Sequence, residues 1–162
     1  MRFRDLNLIL LALSIALPAT AQEVVYVIRH AEQMLDIEDP PLTEEGQVRA
    51  KHWATVFRDA GLDVIITTKK VRTQQTGAAI AEALNVPVEE ISRRDVTGLV
   101  SRVRLHHSKN AVLVISHTKS IPKLVEAFGH STNGRIERED YDNLFVIVPR
   151  AENDATVLRL RY

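Results

Sequence analysis

Runs of β-branched and apolar residues alternate along this chain with segments whose apolar positions recur at helical spacing. Val24-Val25-Tyr26-Val27-Ile28 and Val112-Leu113-Val114-Ile115-Ser116 have the near-continuous apolar character of strands buried on both faces of a parallel sheet. Between them, Ala50, Trp53, Ala54, Phe57 and Ala60 mark the buried stripe of a helix that Thr43 caps and Gly61 stops, with Glu44 and Glu45 in its first turn. A short strand over 63–67 centres on Val64-Ile65-Ile66. A helix over about 71–84 follows, with Ala79, Ile80, Ala83 and Leu84 inward and Asn85 at its end. Residues 86–91 read as a further strand. Asp95 can cap a helix over about 96–107 whose apolar face is Val96, Leu99, Val100 and Val103. The strand over 111–116 leads to a helix from Thr118 to Phe128, and 144–148 and 155–160 read as two late strands. The turn between those strands contains Pro149, Asn153 and Asp154. This alternation predicts an α/β fold, a three-layer α/β/α sandwich with a mostly parallel sheet.

The first segment follows a different pattern. Arg2 and Arg4 precede a mostly apolar stretch from Leu6 to Leu17, and Ala19-Thr20-Ala21 is a small-x-small site. A basic start, a short apolar core and a small-residue site define a secretory signal peptide. The core falls short of the roughly 20 residues of a membrane span. The expected organisation is therefore a signal peptide over 1–21 and one domain over 22–162, periplasmic or secreted after cleavage near Ala21. An uncleaved interfacial anchor is the alternative.

Charge narrows the partners. The chain carries 21 basic and 21 acidic residues, for a formal net charge of +0. Nothing in this balance points to nucleic acid or to a membrane surface. Cys 0 removes disulfides and thiolate chemistry from consideration.

The chemistry lies at strand ends. Ligand crevices of open α/β sheets lie beyond the carboxyl ends of the strands. Arg29-His30 ends the first strand, His117 ends the strand over 111–116, and Arg72 stands just beyond the strand over 63–67. An arginine there can hold a phosphate by paired hydrogen bonds, and a helix N-terminus beside Arg72 also favours an anion. The loop from Ala31 to Leu42, with Asp36, Glu38, Asp39 and Pro40-Pro41, is the expected wall of such a site. The rival use of two histidines is a metal. The adjacent pair His106-His107 would point to different sides of a helix, and His-x-x-x-His spacing is absent. No metal and no cofactor are expected. His52 and His130 read as exposed helix residues.

Taken in order, these segments resemble the histidine phosphatase superfamily, of phosphoglycerate mutase-like fold, in a small exported form. Val27-Ile28-Arg29-His30-Ala31-Glu32 is similar to its Arg-His strand, with Ala31 where glycine is commoner. Pro41-Leu42-Thr43-Glu44-Glu45-Gly46-Gln47 resembles the opening of its first helix. Arg72-Thr73-Gln74-Gln75-Thr76-Gly77 resembles its second arginine motif, Val114-Ile115-Ser116-His117 its second-histidine strand, and Tyr141-Asp142-Asn143-Leu144-Phe145-Val146 the strand that follows. The resemblance implies that His30 attacks phosphorus and becomes a transient phosphohistidine. Arg29, Arg72 and His117 would bind the phosphoryl oxygens. For the acid that protonates the leaving oxygen, Asp95 is the first candidate and Glu90 the second. Asp95 reads equally well as a helix cap, and Glu32 and Gln33 either line the mouth or are only solvated.

The expected activity is hydrolysis of phosphomonoesters, on a small phosphorylated substrate or on a phosphate of an envelope molecule. An envelope sugar phosphate, such as that of a lipopolysaccharide core, is the alternative substrate. A non-catalytic anion-binding module of the same fold is the alternative from another class. No stable membrane anchor is expected after cleavage.

Overall fold

The computed structural model describes residues 24–93, 95–129, 135–150 and 154–162. The expected signal peptide over 1–21 and His130 lie outside the described residues. The elements are β1 (Val24–Arg29), α1 (Glu44–Val56), β2 (Val64–Thr68), α2 (Val71–Leu84), β3 (Val88–Ile91), α3 (Val96–His106), β4 (Ala111–Ser116), α4 (Ile121–Ala127), β5 (Asn143–Pro149) and β6 (Ala155–Arg161). They form a six-stranded sheet of order β3-β2-β4-β1-β5-β6. β3, β2, β4 and β1 run parallel; β5 is antiparallel to both β1 and β6. The expected mostly parallel sandwich is the architecture found.

Side-chain alternation divides the core into two layers. Val25, Val27, Val64, Ile66, Val112 and Val114 pack on one face of the sheet against Leu99, Val100 and Val103 of α3 and Ile121, Leu124 and Val125 of α4. Ile28, Ile65, Leu113 and Ile115 pack on the other face against Trp53 and Ala54 of α1, Phe57 at its C-terminal end, and Ile80 of α2. Strands with apolar residues on both faces need helices on both faces, so the sequence pattern and the layering share one cause.

The helix ends obey local chemistry. The Thr43 side chain accepts from the backbone N–H of Gly46, and the left-handed Asn85 (φ 55°) closes α2. Two expectations shift. α4 begins at Ile121 rather than Thr118, because His117 C=O first accepts from both Ser120 and Ile121 N–H in a tight turn. Ala83 is exposed. The buried side of α2 is instead Arg72, Thr73, Thr76, Gly77 and Ile80, so its first half faces the strand ends rather than an apolar layer.

Two glycines permit close approach. A Cβ at Gly77 would lie 2.6 Å from Thr67 Cγ2, so this residue seats α2 on β2. A Cβ at Gly46 would lie 2.2 Å from the Glu32 carbonyl oxygen, so only glycine lets α1 meet the backbone two residues beyond His30. Gly46→Ala should therefore cost about 1–3 kcal/mol of stability, as overpacking against backbone does. Urea unfolding checks this; an unchanged midpoint would show that the 31–42 loop yields freely.

Candidate active site

Register brings the strand ends together. Arg29 of β1 lies opposite Ser116 of β4, so the next residues, His30 and His117, are neighbours. The His30 N–H donates to Ser116 C=O at 3.1 Å, and the two imidazole centroids are 5.3 Å apart. The connections leaving β1 and β4 run to opposite sides of the sheet, which opens a crevice above this pair. β2 lies on the other side of β4 and leads into Arg72. The structure thus gathers Arg29, His30, Arg72 and His117, all buried.

Hydrogen bonds set the histidine tautomers. His30 Nδ1 lies 2.8 Å from Ala31 C=O, which can only accept, so Nδ1 carries the proton and Nε2 keeps its lone pair. At His117, Nδ1 accepts from an Arg72 guanidinium N–H at 3.3 Å, and Nε2–H donates to Thr68 Oγ1 at 3.1 Å. Thr68 Oγ1–H donates to Thr73 Oγ1 at 2.9 Å, and Thr73 donates to Lys70 C=O at 2.8 Å. This closed chain locks the second ring.

The segment 72–76 holds the site at several points. Arg72 enters it. Thr73 anchors the His117 network. Gln75 Oε1 accepts from Leu42 N–H at 2.7 Å, and Thr76 Oγ1 accepts from Ala31 N–H at 3.1 Å. Both ends of the 31–42 loop are therefore tied to α2. Asp39, in the left-handed region at φ 51°, accepts from Val71 N–H at the start of α2 and pairs with Arg72 at 3.4 Å and Lys70 at 3.7 Å.

The electrostatics favour an anion. Burial pushes His30 down to about 3; the neighbouring Arg29, Arg72 and Arg93 add to this, and the hydrogen bond to Ala31 opposes it. Burial likewise pushes His117 down to about 3, with His30, Arg72, Arg93 and Arg29 adding. Burial also lowers Arg29, which Tyr141 opposes, and Arg72, which Asp39 opposes. The Nε atoms of Arg29 and Arg72 are buried without a hydrogen-bond partner among the described residues. Two buried guanidinium donors without acceptors, beside two neutral imidazoles, match the demand of a phosphate for paired donors.

Three contributors escaped the sequence reading. Tyr141 lies under Arg29, whose Cζ is 4.0 Å from the ring centroid and whose guanidinium donates to the hydroxyl at 3.2 Å. Because β5 runs antiparallel to β1, its start lies at the carboxyl edge of β1. Arg93 follows β3, within electrostatic reach of His30, His117 and Arg72. The strand-end argument applied to this position too, but it was spent on Asp95. Asp39 carried no signal beyond its place in the loop.

Each candidate acid has a local partner. Asp95 is exposed, and its carboxylate accepts from Gly98 N–H at 2.7 Å as the cap of α3. Glu90 is exposed and accepts from the Gln74 side chain. The structure thus favours the cap reading of Asp95. Glu32 pairs with Arg49 and, with Gln33, lines the mouth as expected. Two open recesses, of about 360 and about 550 Å³, share Gln33, Leu35 and Arg138. Arg72 lines the first and Tyr141 the second. His52 is exposed and stacks on Tyr162, and His107 lies 3.5 Å from Glu89.

Comparison with known proteins adds to this geometry. Residues 25–94 match the family model of the histidine phosphatase superfamily (branch 1). No curated protein matches by sequence. Among solved structures, the alpha-ribazole phosphatase from Shigella flexneri superposes with a TM-score of 0.70 at 16% identity, over 86% of this chain and 96% of that one. A mycobacterial glucosyl-3-phosphoglycerate phosphatase complexed with VO3 gives 0.66 at 12% identity, over 86% and 98%. A protein from Agrobacterium tumefaciens, provisionally assigned as the phosphohistidine phosphatase SixA, gives 0.64 at 19% identity, over 86% and 98%. These likenesses establish the fold.

Stability should fall as the solution is acidified. In the folded chain both site histidines stay neutral down to about 3, while in the unfolded chain they take up protons below their ordinary value of 6.5. The unfolded state then binds more protons, so stability declines as pH drops from about 6.5 toward 3. The urea midpoint followed from pH 7.5 to 4.5 checks this. His30→Asn with His117→Asn should flatten the slope, and an equal slope in both proteins would assign it to other groups.

Proposed function

We propose that this chain, whose residues 25–94 match the histidine phosphatase family model, is a member of that superfamily and an exported, metal-independent phosphatase that hydrolyses phosphomonoesters through a phosphohistidine on His30. The family and the solved neighbours support phosphoric monoester hydrolysis. The observation that carries the residue assignment is the neutral His30, with Nε2 left unprotonated by the Nδ1–H bond to Ala31, beside two buried arginines whose Nε donors lack acceptors.

The first step forms a bond from His30 Nε2 to phosphorus and breaks the bond from phosphorus to the leaving oxygen, which departs with the bonding pair and takes a proton from solvent. Water then attacks phosphorus and gives a proton to solvent, the N–P bond breaks with its pair returning to Nε2, and orthophosphate leaves with His30 neutral again. Arg29 and Arg72 place fixed positive charge where the equatorial oxygens gather negative charge. A dianion entering between Arg72 and His117 takes over the hydrogen bond that Arg72 gives to Nδ1. Its charge also favours protonation of that nitrogen, so His117 Nδ1 becomes a donor only when phosphate is present. Arginines and imidazole thereby fill the role of a Lewis acid. Export rests on the leader over 1–21 and on cleavage near Ala21.

Phosphate release from an aryl phosphate should fall by on the order of a thousandfold or more in His30→Ala. Dialysis against a chelator should leave the wild-type rate unchanged. Equal release from wild type and variant would sink the nucleophile assignment, and loss on chelation would sink metal independence. Arg72→Ala should weaken vanadate binding by about a hundredfold, the scale of one transition-state donor; unchanged affinity would place Arg72 outside the phosphoryl pocket. With Asp95 engaged as a cap, Asp95→Asn should slow alkyl and aryl phosphates equally. A selective loss on the alkyl ester would restore it as the acid.

A further inference from the structure

The recess of about 360 Å³ holds more positive charge than one phosphoryl group requires. Lys70, Arg72, Arg93 and Arg138 line it, against the carboxylates of Asp36 and Asp39. Asp39 already faces Lys70 and Arg72. A phosphoryl dianion at His30 is matched by Arg29 and Arg72. Arg93 and Arg138 remain, and among the described residues neither has a carboxylate within the 4.0 Å of an ion pair.

Both arginines are presented by braced backbone. Arg138 lies in the turn over 137–140, where Asp140 accepts from Glu137 N–H at 3.0 Å and from Arg161 at 3.1 Å. Its own carbonyl accepts from Arg29, which couples this turn to the phosphoryl site. Arg93 precedes Asp95, whose N–H donates to Ser92 C=O at 3.0 Å and whose side chain caps α3. Arg93 acts electrostatically on Arg72, His30 and His117, and each of those interactions disfavours positive charge on the partner. Like charges that line one recess from separate elements, with no carboxylate at ion-pair distance from Arg93 or Arg138 among the described residues, are relieved by an external anion.

We propose that Arg93 and Arg138 form a second-anion subsite, so that the substrate class is a phosphomonoester bearing another anionic group, carboxylate or phosphate, on its body. The proposal rests on the phosphatase reading for the place of the first phosphate. Lys70 and Gln33 complete the wall of the recess. Guanidinium groups suit either planar carboxylate or phosphate, so the arrangement selects charge first and geometry second.

Calorimetric binding to the His30→Ala chain tests the subsite without turnover. The probes are glucose 6-phosphate, 6-phosphogluconate and glucose 1,6-bisphosphate, which share a six-carbon body and differ in the second anion. At low ionic strength the second anion should tighten binding by about tenfold or more, the scale of one charge-assisted contact. The gain should shrink as salt is added. Arg93→Gln and Arg138→Gln, combined in the same background, should bring the three affinities within about twofold. A gain confined to 6-phosphogluconate or to the bisphosphate would name the second group as carboxylate or phosphate. Equal affinities in the parent, no measurable binding of any probe, or a gain that survives both substitutions would overturn the subsite. Release of phosphate by the wild-type chain from an aryl phosphate is scored separately. Hydrolysis there with no discrimination here would retire the subsite alone; no hydrolysis there would retire the phosphatase reading.

Discussion

The parallel pairing of β1 with β4 is the constraint on which the site depends. With Arg29 opposite Ser116, the residue after each strand end becomes the neighbour of the other, and the His30 and His117 rings meet tilted at 60°. A slip of one residue would turn every side chain of one strand to the opposite layer. Val25 and Val27 would then leave the α3–α4 layer, and Tyr26 and Ile28 the α1–α2 layer. The apolar alternation that builds the core therefore also aligns two polar residues that contribute nothing to it.

Burial then gives these residues their chemistry. Solvent would leave a histidine protonated on mildly acidic exposure, but desolvation and the surrounding arginines keep both rings neutral to about 3. Neutral imidazole is the form with a lone pair for phosphorus, and the Ala31 carbonyl assigns that lone pair to Nε2. The arginines stay in place because other groups hold them: Tyr141 and the Arg138 carbonyl hold Arg29, and Asp39 and His117 hold Arg72. Each keeps a buried Nε without an acceptor among the described residues, so the donors are in place before an anion arrives.

The 72–76 motif shows how a short sequence serves several purposes. Of its residues, one faces the anion, one locks His117 through Thr68, and two tie down the loop that follows His30. A helix stripe devoted to hydrogen bonds leaves less apolar surface for packing. This explains why Ala83 turned outward and why Gly77, with its close approach to Thr67, carries the contact with the sheet.

Sequence alone was enough for the order and type of the elements, the sandwich class and the convergence of Arg29, His30, Arg72 and His117. Each of these follows from local periodicity plus the rule that ligands meet strand ends. It could not separate the two uses of Asp95, since a carboxylate before a helix is a cap or an acid by the same letters; only the 2.7 Å bond to Gly98 decides for the cap. Nor could it give Tyr141, Asp39, Arg93 or Arg138 their roles. Their roles come from β5 running back beside β1, from a loop folding over α2, and from turns braced by distant partners such as Arg161. Periodicity is written in neighbouring residues and is legible in the chain. The field around a buried histidine is the sum of charges brought together across more than a hundred residues, as the contact of Arg29 with Tyr141 shows, and only the tertiary structure performs that sum.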